Sequence, residues 1–346
     1  MNIPNNSSSL LILIVSNDVG KQTNEVDRLS ESGVRNEVEA VKTACRTLGI
    51  LTEELIIADP HASWKSIEDS GADVVFNLCE GVDGDSGFEM HFAAMLEMIG
   101  IPFTGANPLT LGMARNKPLA KQLFHVRNLS VPAGVRLKTV PADLPEGLAF
   151  PLICKPACED ASLGIFHDAV VRDEKAMREK VSLLLEKYPR DGVLLEEYID
   201  GREFNVAVLS DGKTVRALEP SEIDFSCLPE NCDRITGYEA KWMEENELYK
   251  ATPSRCPADI SQELKIRLQD AALSAYHALE ANSYGRVDFR VDRNDRIFVL
   301  EYNPNPDISF DAGYAKALAA SRLTYAEFVR MVVSEALANH TTRRKP

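Results

Sequence analysis

The chain has 346 residues, 45% hydrophobic and 26% charged, with 53 Asp and Glu against 38 Lys and Arg for a net charge of -15. That length supports two or three lobes, each with its own core, and the ordinary composition excludes a disordered or collagen-like chain. The acidic balance excludes a nucleic-acid backbone or an anionic membrane as the main partner, because both demand a positive field, so any phosphate must be met by local lysines.

The apolar run at residues 10–15 is too short for a signal-peptide core or a membrane span and reads as a buried strand. Val34, Val38, Val41, Cys45 and Leu48 then recur at helical spacing up to Gly49. A strand at 51–57, a short helix near Trp64, a strand at 73–78 and a helix from about 88 to 99 follow. This alternation predicts a Rossmann-like lobe, a parallel sheet covered by helices, with ligands at the C-terminal edges of its strands. At one such edge lies the glycine- and acid-rich run 77–87, which reads either as a turn capping the next helix or as a substrate loop. The seven cysteines (45, 79, 154, 158, 227, 232 and 256) are odd in number and lack zinc-site spacing, which points to free thiols in the cytoplasm. No histidine is placed to make Cys79 a nucleophile.

Residues 101–105 close the first lobe, and a helical stretch through Lys117 to His125 leads out of it. A second lobe opens at 129–132 and holds a strand at 152–155, a loop at 156–164, a strand near Ile165, a helix at 174–188 and a strand at 192–198. The alternation at 203–209 begins a third lobe with an antiparallel strand. Between 221 and 257 the pattern fails over a length that suggests a mobile functional loop. A helix at 261–280 follows, and Thr324 with Glu327 forms a capping box for the last helix. The boundaries drawn are 1–113, 114–198 and 199–340, an α/β and α+β arrangement.

Two places carry chemistry. Arms at 284–291 and 297–303 flank the polar turn Arg293-Asn294-Asp295-Arg296, predicting an antiparallel hairpin. A turn centred on Asn294-Asp295 sets Asp288 opposite Glu301, with Arg286 and Asn303 on the same face. This oxygen-only set suits Mg²⁺; the alternative is the solvated acidic face of an ordinary hairpin. Lys155 ends an apolar strand, a costly place for a cation without an anion, and the loop after it offers amides near Ala161, Ser162 and Gly164 that can cradle phosphate. A snorkelling lysine beside a simple turn is the alternative.

Taken in order, Lys117, Lys155 with its Ser-x-Gly loop, Glu196-Glu197-Tyr198-Ile199, Gly201-Arg202-Glu203, Lys241, Arg286-Val287-Asp288 and Glu301-Tyr302-Asn303-Pro304 resemble the ATP-grasp superfamily. Within it the chain is most similar to the D-alanine–D-alanine ligases, over roughly residues 77–303. The resemblance implies a three-lobed fold gripping ATP between its second and third lobes, with Mg²⁺ or Mn²⁺ as the metal. It assigns Lys117, Lys155, Ser162 and Gly164 to the phosphates, Glu196, Glu197 and Ile199 to the adenine, and Glu203 to the ribose. It also brings Lys241 to the terminal phosphate, gives Asp288, Glu301 and Asn303 to the metal, and sets Arg286 to stabilise the transferred charge. A small-molecule carboxylate would be activated as an acyl phosphate and captured by an amine. A homodimer fits this picture, with no nucleic acid and no membrane involved.

The chain departs from that family where substrate is touched. Ala161 replaces a serine, Trp242 replaces a tyrosine after the loop lysine, and Cys79-Glu80-Gly81 stands near a missing His-Gly. Asn305-Pro306-Asp307 replaces Ser-Pro-Gly, and no Glu-Val-Ser follows the first strand, Glu25-Val26-Asp27 being the nearest match. These changes imply a substrate pair other than two D-alanines, bulkier or more cationic, with Glu80, Asp83, Asp85 and Asp307 as candidates to bind it. A small-molecule kinase and a true D-alanine–D-alanine ligase are the alternative functions.

Overall fold

The structure is a computed structural model that describes residues 10–18, 25–159, 162–243 and 245–343. Its first part runs β1 (Leu11–Asn17), α1 (Glu25–Leu48), β2 (Leu51–Ile57), α2 (Pro60–Asp69), β3 (Val74–Leu78) and α3 (Glu89–Ile99). The three strands form a parallel sheet in the order β2-β1-β3. The strand β1 is apolar without alternation because both its faces are covered. Ile12 and Ile14 meet Val34, Val38 and Val41 on one side, while Leu13 and Val15 meet Ile67, Phe92 and Leu96 on the other.

Helices α4 (Pro108–Arg115) and α5 (Lys117–Val126) lead to a four-stranded sheet of β4 (Gly134–Leu137), β5 (Leu152–Pro156), β6 (Val170–Val171) and β7 (Val193–Glu197). Its helix α6 (Glu174–Lys187) buries Met177, Val181 and Leu184 against the sheet. The strand expected near Ile165 is absent: Ser162 and Gly164 both take positive φ, and the Ile165 amide closes a turn onto the Ser162 carbonyl at 3.0 Å. Left-handed backbone cannot extend a ladder, so β5 pairs with Val170 and Val171 instead.

The remaining strands are β8 (Gly201–Ser210), β9 (Val215–Ala217), β10 (Ser221–Ile223), β11 (Ser254–Arg255), β12 (Tyr284–Asp292) and β13 (Ile297–Asn303). They form an antiparallel sheet ordered β11-β10-β8-β12-β13, with β9 on β8. Short helices α7 (Tyr238–Trp242) and α8 (Glu247–Lys250) interrupt the long segment between β10 and β11, and α9 (Gln262–Ala278) covers one face of the sheet. Helices α10 (Gly313–Ala320) and α11 (Tyr325–Arg343) end the chain. At the start of α11 the Thr324 amide donates to Glu327 at 2.8 Å and the Glu327 amide to Thr324 Oγ1 at 3.2 Å, the reciprocal cap expected there.

Two packings tie the lobes together. Phe328, Val329, Val332 and Val333 of α11 join Ile12, Val38 and Phe76 in one core, so the last helix completes the first lobe. Ala120 and Phe124 of α5 are buried with Phe204, Val206 and Phe289, which anchors the exit helix on the third sheet. Each such buried aromatic is worth about 3–5 kcal/mol against alanine.

Candidate active site

The alternation of β8, β12 and β13 presents a polar row toward a cleft of about 650 Å³, with Glu203 and Asn205, then Arg286, Asp288 and Arg290, then Glu301 lining it. The register pairs Asp288 with Glu301 on one side and with Asn205 on the other. It reaches the expected Asp288–Glu301 pair by two one-residue offsets. Asp295 takes φ 57° in a turn closed by its amide on the Asp292 carbonyl at 3.0 Å, and the pairs next to the turn, Val291–Ile297 to Phe289–Val299, are one residue off the expected register. A bulge at Leu300, between the Asp288–Glu301 and Phe289–Val299 pairs, restores the register.

Each charge on this floor has a counter-charge. Arg286 holds Asp288 with two bonds, Nε to Oδ1 at 2.7 Å and Nη2 to Oδ2 at 2.8 Å, and Asn205 Nδ2 donates to the same Oδ1 at 2.8 Å. Lys117 Nζ donates to Glu301 Oε2 at 2.7 Å. Burial acts to raise the Glu301 carboxyl, yet Lys117, Lys155 and Lys241 outweigh it and hold its pKa down to about 2. Glu203 accepts from Thr236 Oγ1 at 2.7 Å and pairs with Arg290 at 2.8 Å.

Across the cleft the central sheet contributes a lysine pair around one acid. Glu196, fully buried on β7, lies 2.5 Å from Lys155 Nζ and 3.0 Å from Lys121 Nζ. Burial opposes its ionisation, but the two lysines prevail and its pKa lies below the usual carboxylate range. Lys121 also donates to the Leu300 carbonyl at 2.9 Å, so α5 grips β7 and the bulge of β13 at once. The segment Glu197-Tyr198-Ile199 joins the two sheets along the cleft edge.

Over the opening lies the segment between β10 and β11. Ser162 Oγ donates to the Thr236 carbonyl at 3.0 Å, and the Tyr238 amide donates to the Ile165 carbonyl at 2.7 Å, so this segment rests on the loop after β5. Lys241 faces Arg286, Asp288 and Glu301; burial first, then Arg286, lowers its pKa. At Gly164 the backbone has φ 76°, and a side chain there would meet Pro156 at 2.7 Å and Tyr188 at 3.0 Å, so glycine alone lets the loop fold back on the lysine strand.

The profile described as "D-ala D-ala ligase C-terminus" matches residues 132–334. An "Uncharacterized protein y4sG" from Sinorhizobium fredii is 33% identical, covering 83% of this chain and 80% of its own. A D-alanine–D-alanine ligase from Bordetella petrii is 32% identical over 77% of each chain. The chain belongs to the D-alanine–D-alanine ligase family. It is thereby an ATP-dependent, ADP-forming carboxylate–amine ligase. Its fold is that of the Bacillus anthracis D-alanine–D-alanine ligase complexed with ATP, with a TM-score of 0.73 at 21% identity over 97% of this chain and all of that one. The VanG D-Ala:D-Ser ligase of Enterococcus faecalis has the same fold, with a TM-score of 0.72 at 21% identity over 95% of this chain.

Of the residues expected to act, Lys155, Ser162, Glu196, Glu197, Ile199, Glu203, Lys241, Arg286, Asp288 and Glu301 all line the one cleft. Lys117 reaches it through Glu301, and Asn303 sits two pairs beyond, opposite Arg286, its Oδ1 accepting from the Asn305 amide at 2.9 Å. Ala161 lies outside the described residues, as do the side chains of Glu25, Val26 and Asp27. Asp83 and Asp85 belong to the turn after β3, where Asp85 Oδ1 accepts from Gly87 at 2.8 Å. Lys121 and Asn205 were not anticipated, although both follow an anticipated residue at the right spacing: Lys121 four after Lys117 on a helix, Asn205 two after Glu203 on a strand.

Among the described residues no three His, Cys, Asp or Glu side chains are grouped to cage a metal. The set at hand, two facing carboxylates with a neighbouring amide, fits Mg²⁺, which takes one or two carboxylates and completes its shell with phosphate and water. No helix among the described residues is long and apolar enough to cross a membrane.

Proposed function

We propose that this ligase uses Mg²⁺ with ATP, activates the carboxylate of an amino acid or peptide as an acyl phosphate, joins it to an amine, and takes a substrate pair other than two D-alanines. The observation that carries the reading is the convergence of Lys155, Lys241 and Arg286 with Asp288 and Glu301 on one cleft between two sheets. Opposed cations and paired carboxylates suit the transfer of a phosphoryl group between two anionic oxygens, where the protein positions and neutralises rather than forming a bond.

In this reading Glu197 and Ile199 border the adenine at the junction of the sheets, and Glu203 meets the ribose. Lys155 and Lys117 hold phosphate oxygens, helped by the amides around Ser162 and Gly164, and Glu196 keeps Lys155 oriented. Asp288, Glu301 and Asn303 would hold the metal, which when bound would supply positive charge against the phosphates. Lys241 and Arg286 face the terminal phosphate from opposite sides and stabilise charge as it moves to the substrate carboxylate. The amine then attacks the acyl carbon and phosphate leaves. The Trp242 indole cannot accept a hydrogen bond where the family has a phenol, and this supports a rebuilt substrate end. All seven cysteines are free, which supports a cytoplasmic setting.

The test is ADP release across amino acids, hydroxy acids and short peptides, with mass spectrometry of products. A joined product establishes the ligase with its substrates. A phosphorylated acceptor would replace it with a kinase, and efficient, selective D-Ala-D-Ala synthesis would overturn the altered specificity.

A further inference from the structure

One buried arginine of the cleft stands apart from the cations that face phosphate. Arg290, on β12, continues the polar row of Arg286 and Asp288, and only 4% of it is exposed. The register sets it directly opposite Glu203 on β8, and the two form an ion pair at 2.8 Å. Its other bonds go to backbone: Nη1 donates to the Gly201 carbonyl at 3.0 Å, and Nη2 donates to the Arg234 carbonyl. The guanidinium also lies over the Phe225 ring, 5.2 Å from its centre. A guanidinium is a rigid fork of donors that accepts nothing, so partners on this many sides fix its plane, and with it the carboxylate it holds.

The second partner of that carboxylate comes from a different element. Thr236 Oγ1 donates to Glu203 Oε1 at 2.7 Å, while Arg290 takes Oε2. A carboxylate has about four acceptor positions on its two oxygens, so each oxygen keeps room for one more donor, as a pair of neighbouring hydroxyls requires. Residues 234–236 are in turn held from outside this trio. The Arg234 amide donates to the Tyr198 hydroxyl at 3.1 Å, and Ser162 Oγ donates to the Thr236 carbonyl at 3.0 Å. Glu203, Arg290 and Thr236 thus hold one another where β8, β12, the junction of the two sheets and the loop after β5 meet. A carboxylate fixed in this way loses little freedom when it takes up a ligand.

Resting on the reading that Glu203 meets the ribose, we infer that Arg290 is the positioning residue that makes this carboxylate a reader of the ribose hydroxyls. It aims Glu203 into the cleft and, through the Arg234 carbonyl, ties the segment between β10 and β11 to the same site. The hydrogen bonds of Arg290 run to Glu203, Gly201 and Arg234, outside the Glu197–Ile199 edge proposed for adenine, so recognition of the sugar is separable from recognition of the base.

The test is calorimetric binding of ATP, 2′-deoxy-ATP and GTP, each with Mg²⁺ and without amino acids. Wild-type protein should bind ATP roughly tenfold or more tightly than 2′-deoxy-ATP, as expected where a hydroxyl meets a charged acceptor. Arg290→Met, of similar length and without charge, should bring that ratio to within about twofold while the ratio of ATP to GTP holds. Arg290→Lys keeps the charge without the fork and should fall between. A sugar preference that survives Arg290→Met overturns the inference, as does a wild type indifferent to the sugar. Loss of both ratios together would mean a collapsed cleft, a merely structural role, and overturns it too. Should Arg290→Met not fold, Thr236→Val removes the other bond to Glu203 and should lower the sugar ratio alone; an unchanged sugar ratio there overturns the inference. Glu203→Ala separates the two readings. Sugar preference lost in Glu203→Ala but kept in Arg290→Met leaves the ribose at Glu203 and removes the role of Arg290. Preference kept in both variants takes the ribose away from Glu203, and the inference falls with it.

Discussion

The two ends of the cleft are built on opposite terms. At the end proposed to hold the nucleotide, cations sit on regular strands and helices and each meets a carboxylate of the same chain: Lys155 and Lys121 meet Glu196, Lys117 meets Glu301, Arg286 meets Asp288. At the far end Glu37 is buried with its Oε1 accepting from the Ile308 amide at 2.8 Å, and the buried hydroxyls of Tyr284 and Tyr325 lack partners. A compensated end is rigid before its ligand arrives and suits a cosubstrate shared by the whole family. An end with unmade hydrogen bonds can gain them from a ligand, and there a family can diverge at small structural cost.

The largest effect that tests this contrast is on turnover. Asp288→Ala or Glu301→Ala should lower ATP hydrolysis coupled to ligation by on the order of 10³-fold, since each removes a proposed metal ligand and frees a cation. Circular dichroism should show the fold retained. Turnover at the wild-type level in both variants would end the metal assignment. Lys155→Ala should act in the same direction, by about 10²-fold, with weaker MgATP binding.

The next effect is on stability. Glu196→Ala leaves Lys121 and Lys155 facing each other in a buried place, and should cost about 3–5 kcal/mol in denaturant unfolding. The sign of the pH dependence follows from its depressed pKa. The Glu196 contribution is complete above the unfolded carboxylate range, near 4.5, and is lost as pH falls through the lower folded value. The variant should therefore show a shallower loss of stability with acid than the parent, measured by unfolding at pH 3 and pH 6.

The end proposed to hold the nucleotide was also the legible one. Alternation along a strand and a polar turn were enough to pair Asp288 with Glu301, yet neither the left-handed Asp295 nor the Leu300 bulge had a signal, and the pairing survived because the two offsets cancel. Local periodicity records which residues share a face but not what a remote element brings to that face. Lys121 looked like one more charge on an amphipathic helix, and its bond to the Leu300 carbonyl joins residues 179 apart in sequence. Glu37 was harder still, a single acid beside the Val34, Val38 and Val41 stripe, whose meaning depends on Ile308 at the other end of the chain. The first lobe likewise gave no hint that Phe328 and Val332 of the last helix complete its core.

A smaller effect concerns the lid. Its contacts run to both neighbours, Thr236 to Ser162 and Tyr238 to Ile165 on one side and Trp242 toward Gly33 on the other. If it closes over both ends, limited proteolysis within residues 227–252 should be rapid in the free protein and suppressed by MgATP with substrate. Cutting at equal rates with and without ligands would remove the lid from the mechanism.

The finest test reads the contrast through one residue at each end. Glu196 and Glu37 are both buried carboxyls, but their pKa values move in opposite directions, down beside lysines and up beside acids. For Glu37 the linkage runs the other way: its protonated form is favoured by folding, so its contribution is present below about pH 4.5 and is lost as pH rises through the folded value. At pH 7 without ligand, Glu37→Gln should raise the unfolding midpoint, because a neutral amide still accepts from the Ile308 amide without repelling Glu80 and Asp307. Glu196→Gln should lower it under the same conditions. If Glu37→Gln proves less stable at pH 7, the Glu37 carboxylate is compensated within the chain, and the two buried acids do not differ as described.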